Sequence, residues 1–206
     1  MDSEPLAWRA WEAELATHGY ELTPADIART RGRSYREAHA HFKGRIEGMP
    51  DAESFWPGFS GRLFELFEAE LTPFEDAVQT ARELRSRGIP VAIASSSPRE
   101  RLDRTLATAG LGGLFDVTIS GDEVARGKPA PDIFLAAAER LGVVPDDCVA
   151  VEDSPIGVEA ALAAGMTVVA VARAEEHREL LDPHAVPELT AAVVEAAGRR
   201  AGGQTM

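Results

Sequence analysis

Two adjacent acidic residues end an apolar segment in the sequence VAVEDSPIGVEAALAAGM, which covers residues 149–166. Glu152 and Asp153 follow VAV and precede a serine, a proline and a glycine. Two carboxylates at the end of a buried strand are costly unless a cation neutralises them. Mg²⁺ prefers such oxygen ligands, so the pair predicts a magnesium site. The alternative is that Asp153 caps a helix that starts near Pro155.

A second polar group follows another apolar segment. Ser95, Ser96 and Ser97 come directly after VAIA and precede Pro98. Hydroxyl and backbone N–H groups at a turn from strand to helix can bind a phosphate. A serine that simply caps the next helix is the alternative.

A single lysine is the third candidate. Only Lys43 and Lys128 are lysines among the 21 basic residues, and Lys128 lies in the segment RGKPAPDIF. An ammonium group is a compact point charge, which distinguishes it from the arginines used elsewhere in the chain. Lys128 is therefore a candidate to face a phosphate, and a surface lysine without a role is the alternative. Serines, lysine and acids together suit phosphoryl transfer, which depends on positioning and charge neutralisation.

The helices and strands that would position these side chains can also be predicted from the sequence. From residue 72 onward the pattern alternates between helix and strand, and the strand segments are continuous apolar runs. Such runs are typical of parallel strands buried on both faces, and the alternation predicts a doubly wound α/β fold. Ligands bind at the carboxyl ends of the strands in such sheets. The predicted strands are 90–95, 115–120, 148–152 and 167–171, and the predicted helices are 75–87, 98–109, 131–141 and 155–164.

Residues 4–71, in contrast, show only helical periodicity. The segment from Arg29 to Arg45 contains six basic residues and one acid, Glu37, which indicates either a solvated helical face or a patch that attracts an anionic substrate. The aromatic residues predicted to form the core of this segment are Trp8, Trp11, Phe55, Trp56 and Phe59.

The composition argues against several classes of function. The net charge of −13 argues against general binding of nucleic acid, and no apolar run is long enough to cross a membrane. We find no signal peptide. The single cysteine, Cys148, fits a reducing cytoplasm and is expected to be a small core residue. We therefore expect a cytoplasmic protein that is a monomer or a weak dimer.

Taken together, the motifs resemble those of the haloacid dehalogenase superfamily, in particular its β-phosphoglucomutase-like phosphatases with an inserted helical cap. Ser95 resembles the second motif of the family, Lys128 in GKPAPDIF the third, and Glu152-Asp153 the fourth, which binds Mg²⁺. The resemblance implies hydrolysis of a sugar or polyol phosphate through an aspartyl-phosphate. It also implies a Rossmann-like core at residues 72–200 and a cap at residues 4–71.

The same resemblance implies a role for each candidate. Asp153, assisted by Glu152, would hold Mg²⁺, and Lys128 would neutralise the transferring phosphoryl group. Ser95, Ser96 and Ser97 would bind phosphate oxygens. In the cap, the loop Arg31-Gly32-Arg33-Ser34 resembles the one that reads the substrate in relatives. Arg31 or Arg33 is therefore expected to help select an anionic small metabolite.

One motif of the family is absent. The first motif is a strand that ends in Asp-x-Asp-Gly, and this sequence begins at Asp2-Ser3-Glu4-Pro5, the segment that follows that strand in relatives. Asp2 is interpreted as a helix-capping residue and not as the nucleophile. We expect the central strand between 90–95 and 148–152 to be missing, and we attribute this to a misassigned start. These 206 residues are expected to show little or no turnover.

Other functions remain open. The chain could be a truncated, non-catalytic protein that binds phosphorylated ligands or accepts a strand from another chain. A phosphomutase is a weaker alternative, because Ala7 stands where mutase-like relatives commonly have histidine. A true haloacid dehalogenase is also weaker, since Lys128 and the acidic pair favour phosphate and Mg²⁺. Glu75-Asp76 replaces the usual Pro-Gly before the second strand and suits a helix N-terminus.

Overall fold

The structure, a computed structural model, describes residues 3–173 and 185–202. The chain divides into two compact units. A helical unit comprises Met1–Phe74 and Ser97–Gly112, and an α/β unit comprises Glu75–Ser96 and Gly113–Met206. No described helix is long and apolar enough to cross a bilayer.

The secondary structure alternates after the first four helices, as the sequence predicts. In chain order the helices are α1 (Glu4–Ala16), α2 (Pro24–Thr30), α3 (Tyr35–Lys43), α4 (Ala52–Glu70), α5 (Glu75–Ser86), α6 (Arg99–Thr108), α7 (Asp132–Leu141), α8 (Pro155–Ala163) and α9 (Ala191–Gly202). The strands are β1 (Ala92–Ala94), β2 (Val117–Ile119), β3 (Val149–Glu152) and β4 (Thr167–Ala170), and short 3₁₀ turns cover Gly121–Glu123 and Pro145–Asp147.

An aromatic cluster forms the core of the helical unit. Trp11 of α1 is buried, and its ring centroid lies 5.4 Å from that of Phe55 and 4.6 Å from that of Phe59, both on α4. Such contacts add stabilisation beyond the area they bury. The core prediction is confirmed for these three residues, whereas Trp8 and Trp56 are only partly buried against the cluster.

A buried carboxylate joins α2 to α3. Asp26 is 5% exposed, and it accepts hydrogen bonds from the Thr23 hydroxyl (2.6 Å) and the Tyr20 hydroxyl (3.0 Å). Nε2 of His41 lies 2.7 Å from its other oxygen. Burial alone would raise the pKa of Asp26, but the hydrogen bonds from Thr23 and His41 outweigh it and lower the pKa to about 2.

A second carboxylate, Asp76 in the first turn of α5, binds two residues from the C-terminal part of the chain. Its Oδ2 accepts hydrogen bonds from Arg173 (2.6 Å) and from the backbone N–H of Leu189 (2.8 Å). Burial opposes ionisation, but these bonds leave the pKa of Asp76 below its usual value. The prediction that Glu75-Asp76 begins a helix is confirmed.

Among the described residues of the α/β unit, four strands form two separate parallel pairs. β1 pairs with β2, with Ala92 opposite Val117, and β3 pairs with β4, with Val149 opposite Thr167. Both pairs contribute to one apolar core, in which Ile119 of β2 and Ala150 of β3 pack with residues of α7 and α8. Within the described residues β1 and β3 do not pair with each other, and the absence of a central strand between them stays a prediction.

The α/β fold class is confirmed, and the observed strands fall inside the predicted segments. β1, β2, β3 and β4 are shorter than the predicted segments by one to three residues. The interpretation of Asp2 as a capping residue lies outside the described residues. The division into a cap at 4–71 and a core at 72–200 stays a prediction; in the structure, Ser97–Gly112 groups with the helical unit.

Candidate active site

Lys128 occupies the centre of the candidate site, although it lies in a loop. Its side chain is only 8% exposed, so the alternative of a surface lysine is wrong. The ammonium group donates to Oε1 of Glu152 and to the carbonyl of Ala94, 3.3 Å away. It also lies 4.9 Å from the centre of the Phe134 ring, a distance at which cation and ring attract each other. Lys128 therefore joins the carboxyl ends of β1 and β3.

Glu152 is the acidic partner of this lysine. It is the last residue of β3 and is 8% exposed. Its Oε1 forms the ion pair with Lys128, and its Oε2 accepts a hydrogen bond of 3.0 Å from the Ser154 hydroxyl. A buried carboxylate needs such partners, because an uncompensated charge in the interior is strongly destabilising.

A glycine makes room for this carboxylate. Gly157 lies in the first turn of α8, and a Cβ atom there would be 2.0 Å from Oε2 of Glu152. Any side chain at this position would displace the carboxylate, so the α8 backbone closes the Oε2 side of Glu152.

Asp153 follows directly and has a different environment. It is exposed. The residue that caps α8 is Ser154, whose hydroxyl accepts a hydrogen bond of 3.2 Å from the N–H of Gly157. The alternative role of Asp153 as the helix cap is therefore wrong.

The carboxylates of Asp153 and Glu152 are suitable in kind for Mg²⁺, which takes oxygen ligands. The described residues contain no group of three or more His, Cys, Asp or Glu side chains that could hold a metal. A bound Mg²⁺ would therefore complete its coordination with other oxygen atoms, as this ion usually does with water and phosphate. It would also have to compete with the protein donors that already bind Glu152.

The three serines follow β1. Ser95 still belongs to the ladder, since its N–H donates to the carbonyl of Ile119 (2.9 Å). The Ser96 carbonyl lies close to Gly121, where a Cβ atom would be 2.5 Å from it. Helix α6 begins with Pro98 at its N-cap and without a side-chain cap, so the alternative of a capping serine is not supported. Ser97 belongs to the helical unit.

The two candidate arginines also lie in the helical unit and differ in environment. Arg31 is half-buried, and its Nε lies 3.5 Å from Oε2 of Glu4. Arg33 is exposed, lies just before α3, and forms an ion pair of 3.4 Å with Glu37 in the first turn of that helix.

The structure thus brings together Lys128, Glu152 and the chain just before Ser95, and it places Asp153 beside them. Sequence reasoning missed Phe134 and the Ala94 carbonyl as partners of the lysine. It also missed Gly157, for which the signal was a glycine in the first turn of a helix, a position that otherwise disfavours it.

Cys148 precedes β3 and is half-buried against the α/β core, in agreement with its predicted packing role. Burial raises the pKa of its thiol, which disfavours the nucleophilic thiolate.

Comparison with known proteins identifies the family. Residues 2–165 match the model of the haloacid dehalogenase-like hydrolases, so the chain belongs to this family. It is 37% identical over 168 residues to the phosphorylated carbohydrates phosphatase of Thermotoga maritima, with 81% of this chain and 77% of that protein covered. It is 34% identical over 173 residues to the fructose-1-phosphate phosphatase YqaB of Escherichia coli, covering 83% and 90%.

Two further matches concern part of a larger protein and the fold alone. The chain is 36% identical over 178 residues to the chloroplastic protein SUPPRESSOR OF QUENCHING 1 of Arabidopsis thaliana; the match covers 82% of this chain but only 16% of that protein. The crystal structure of β-phosphoglucomutase from Clostridium difficile superposes with a TM-score of 0.80 at 18% identity, covering 98% and 94% of the two chains. The expected membership of this superfamily is confirmed.

Proposed function

We propose that this chain provides the phosphate- and metal-binding machinery of a Mg²⁺-dependent phosphatase acting on a small sugar or polyol phosphate. The observation that carries the proposal is the buried ammonium of Lys128, held between the carboxyl ends of β1 and β3. An ammonium in a water-poor site stabilises the negative charge of a transferring phosphoryl group far better than it would in water. The phosphatases of Thermotoga maritima and Escherichia coli support the substrate class.

The residues have distinct tasks in this proposal. Asp153, with Glu152, would hold Mg²⁺, which when bound neutralises charge on the phosphate. Lys128 neutralises the phosphoryl group, and Ser95 to Ser97 bind its oxygens. Arg31 or Arg33 selects an anionic group on the substrate. We assign the protein to the cytoplasm, as a monomer or weak dimer.

Hydrolysis through an aspartyl-phosphate additionally requires a nucleophilic aspartate. The 206-residue sequence contains no Asp-x-Asp pair, so turnover depends on an aspartate that these residues do not supply. The chain as printed is expected to bind substrate and metal and to release little or no phosphate.

Phosphate release from a panel of sugar and polyol phosphates tests the proposal. The panel is run with the printed chain and with a longer reading frame, if the gene encodes one that adds an apolar strand ending in Asp-x-Asp-Gly. We expect Mg²⁺-dependent turnover only in the longer chain, with loss of activity in Asp153→Asn. Asp147→Asn, at the opposite end of β3, is the matched control and should retain it. Turnover that does not require Mg²⁺ or Asp153 would refute the metal assignment.

The substrate-selecting role needs a separate measurement. Arg31→Ala and Arg33→Ala should raise KM for anionic sugar phosphates with little effect on kcat, because the arginines would contact a part of the substrate that does not react. An unchanged KM across the panel in both variants would remove this assignment.

A second candidate function is favoured by the sheet. Since β1 and β3 do not pair within the described residues, the chain could bind a phosphorylated ligand, or accept a strand, without catalysis. This candidate predicts calorimetric binding of sugar phosphates together with no phosphate release by any natural form of the chain.

A further inference from the structure

The ion pair between Lys128 and Glu152 occupies the part of Glu152 that a metal would need. Oε2 of Glu152 faces the first turn of α8, where a Cβ atom on Gly157 would be 2.0 Å away, and it already accepts a hydrogen bond from Ser154. Oε1 is directed toward the Lys128 ammonium. A cation that binds Glu152 through Oε1 therefore meets the Lys128 ammonium there.

Mg²⁺ and the Lys128 ammonium cannot both bind Oε1 of Glu152. A Mg²⁺–oxygen bond is about 2.1 Å long, so an ion on Oε1 would lie within a few ångströms of the ammonium. Two positive charges at that distance repel each other strongly in a site with little water, and both side chains are 8% exposed. Binding of the metal to Glu152 thus requires the ammonium to leave Oε1.

The surroundings of Lys128 determine where its charge can go. Besides Glu152, its ammonium contacts the Phe134 ring, whose centre lies 4.9 Å away, and the carbonyl of Ala94, the residue before Ser95, at 3.3 Å. These contacts do not involve Glu152, so they can hold the ammonium when the ion pair opens. The Lys128 N–H that donated to Glu152 then lacks an acceptor. A phosphate oxygen bound beside the serine segment would provide one.

We propose that Lys128 competes with Mg²⁺ for Glu152, so that metal binding and phosphate binding are thermodynamically coupled through this lysine. The inference rests on the proposed function, because it takes the phosphate and metal sites as given. Coupling of this kind is reciprocal: phosphate strengthens the binding of Mg²⁺ by the same factor by which Mg²⁺ strengthens the binding of phosphate.

Titration calorimetry with MgCl₂ and inorganic phosphate on the full chain measures this coupling without turnover. In the wild-type protein we expect saturating phosphate to tighten Mg²⁺ binding at least fivefold, with the same factor in the reverse titration. In Lys128→Met, we expect Mg²⁺ alone to bind at least tenfold more tightly than in the wild type, equivalent to about 1.4 kcal/mol, and the coupling factor to fall toward one.

One control variant separates competition from a general loss of positive charge. Arg126→Gln removes a charge two residues away that is paired with Asp132 at 2.8 Å, and it should change Mg²⁺ affinity less than twofold. Circular dichroism establishes that each variant is folded. If Lys128→Met does not fold, the wild-type titrations still decide, since equal Mg²⁺ affinities with and without phosphate overturn the proposal.

The outcomes also separate this inference from the proposed function. If Mg²⁺ binds and Asp153→Asn abolishes binding, the metal site stands. In that case, unchanged or weaker Mg²⁺ affinity in Lys128→Met refutes the competition alone. If Mg²⁺ does not bind the wild-type chain, or binds Asp153→Asn equally well, both the metal assignment and the competition are wrong.

Discussion

Replacing Gly157 with alanine should destabilise the α/β unit, although alanine is the better helix former. In an ordinary helix interior this change would stabilise the protein by about 1 kcal/mol. Here the new Cβ would lie 2.0 Å from Oε2 and 2.5 Å from Oε1 of Glu152, so the carboxylate has to move away. Its displacement breaks the buried ion pair with Lys128.

The magnitude follows from the two opposing effects. Leaving one member of a buried ion pair without its partner costs about 3–5 kcal/mol, and the helix propensity of alanine offsets about 1 kcal/mol of this loss. We therefore expect Gly157→Ala to lower the free energy of unfolding by about 2–4 kcal/mol. Urea unfolding followed by far-UV circular dichroism measures this difference.

Two further variants make the measurement decisive. Gly61 in α4 has no atom within 4 Å of an added Cβ, so Gly61→Ala should be neutral or stabilising. In a Glu152→Ala background the clash is absent, and Gly157→Ala should then also be neutral or stabilising. A Gly157→Ala protein as stable as the wild type would refute the claim that this glycine positions the Glu152 carboxylate.

Three other substitutions probe contacts elsewhere. Asp26→Asn should lower the free energy of unfolding by about 2 kcal/mol near neutral pH, because the folded protein lowers the pKa of this carboxylate from 3.8 to about 2. A lowered pKa stabilises the fold only above the pKa of the unfolded state. The difference from the wild type, measured by urea unfolding, should therefore shrink as the pH falls from about 4 toward 2. Asp76→Asn, which weakens the bonds from Arg173 and the Leu189 amide, should cost about 1–3 kcal/mol and speed hydrogen exchange at Leu189. Gly121→Ala should weaken binding of inorganic phosphate about tenfold in calorimetry, equivalent to about 1.4 kcal/mol, because the added Cβ would lie 2.5 Å from a backbone carbonyl in the serine segment.

Each of these predictions has a result that would contradict it. A pH-independent difference for Asp26→Asn would show that its charge is not the stabilising feature. Unchanged exchange at Leu189 would mean that this amide does not depend on Asp76. For Gly121→Ala the control is Gly112→Ala, where an added Cβ meets nothing within 4 Å; equal phosphate affinities in the two variants would separate the loop from phosphate binding.

The parts of this structure that follow from periodicity could be predicted from the sequence. The apolar runs before Ser95 and Glu152 indicate buried parallel strands, and both residues do lie at or just after strand ends. Lys128 could be chosen because the chain otherwise uses arginine. These inferences need only local pattern and the rule that strand ends of an α/β sheet bind ligands.

The contacts within the site could not be predicted, because they join segments far apart in the chain. Nothing near Lys128 in the sequence indicates that its ammonium contacts Ala94 and Glu152, 34 and 24 residues away. The capping choice at α8 was also ambiguous, since Asp153 and Ser154 are both good capping residues. Only the backbone position decides that Ser154 caps the helix, whereas Asp153 is exposed.

The path of the chain between its two units has a consequence for synthesis on the ribosome. The helical unit comprises Ser97–Gly112 as well as Met1–Phe74. Within it, Leu102 of α6 is buried, and the indole N–H of Trp56 donates a hydrogen bond of 2.7 Å to Glu100 of α6. After Phe74 the ribosome must add about 38 more residues, or about 2–8 s at typical translation rates, before this unit is complete. During that interval the nascent helices would expose the surface that α6 later covers, which makes this segment a candidate for chaperone contact before release.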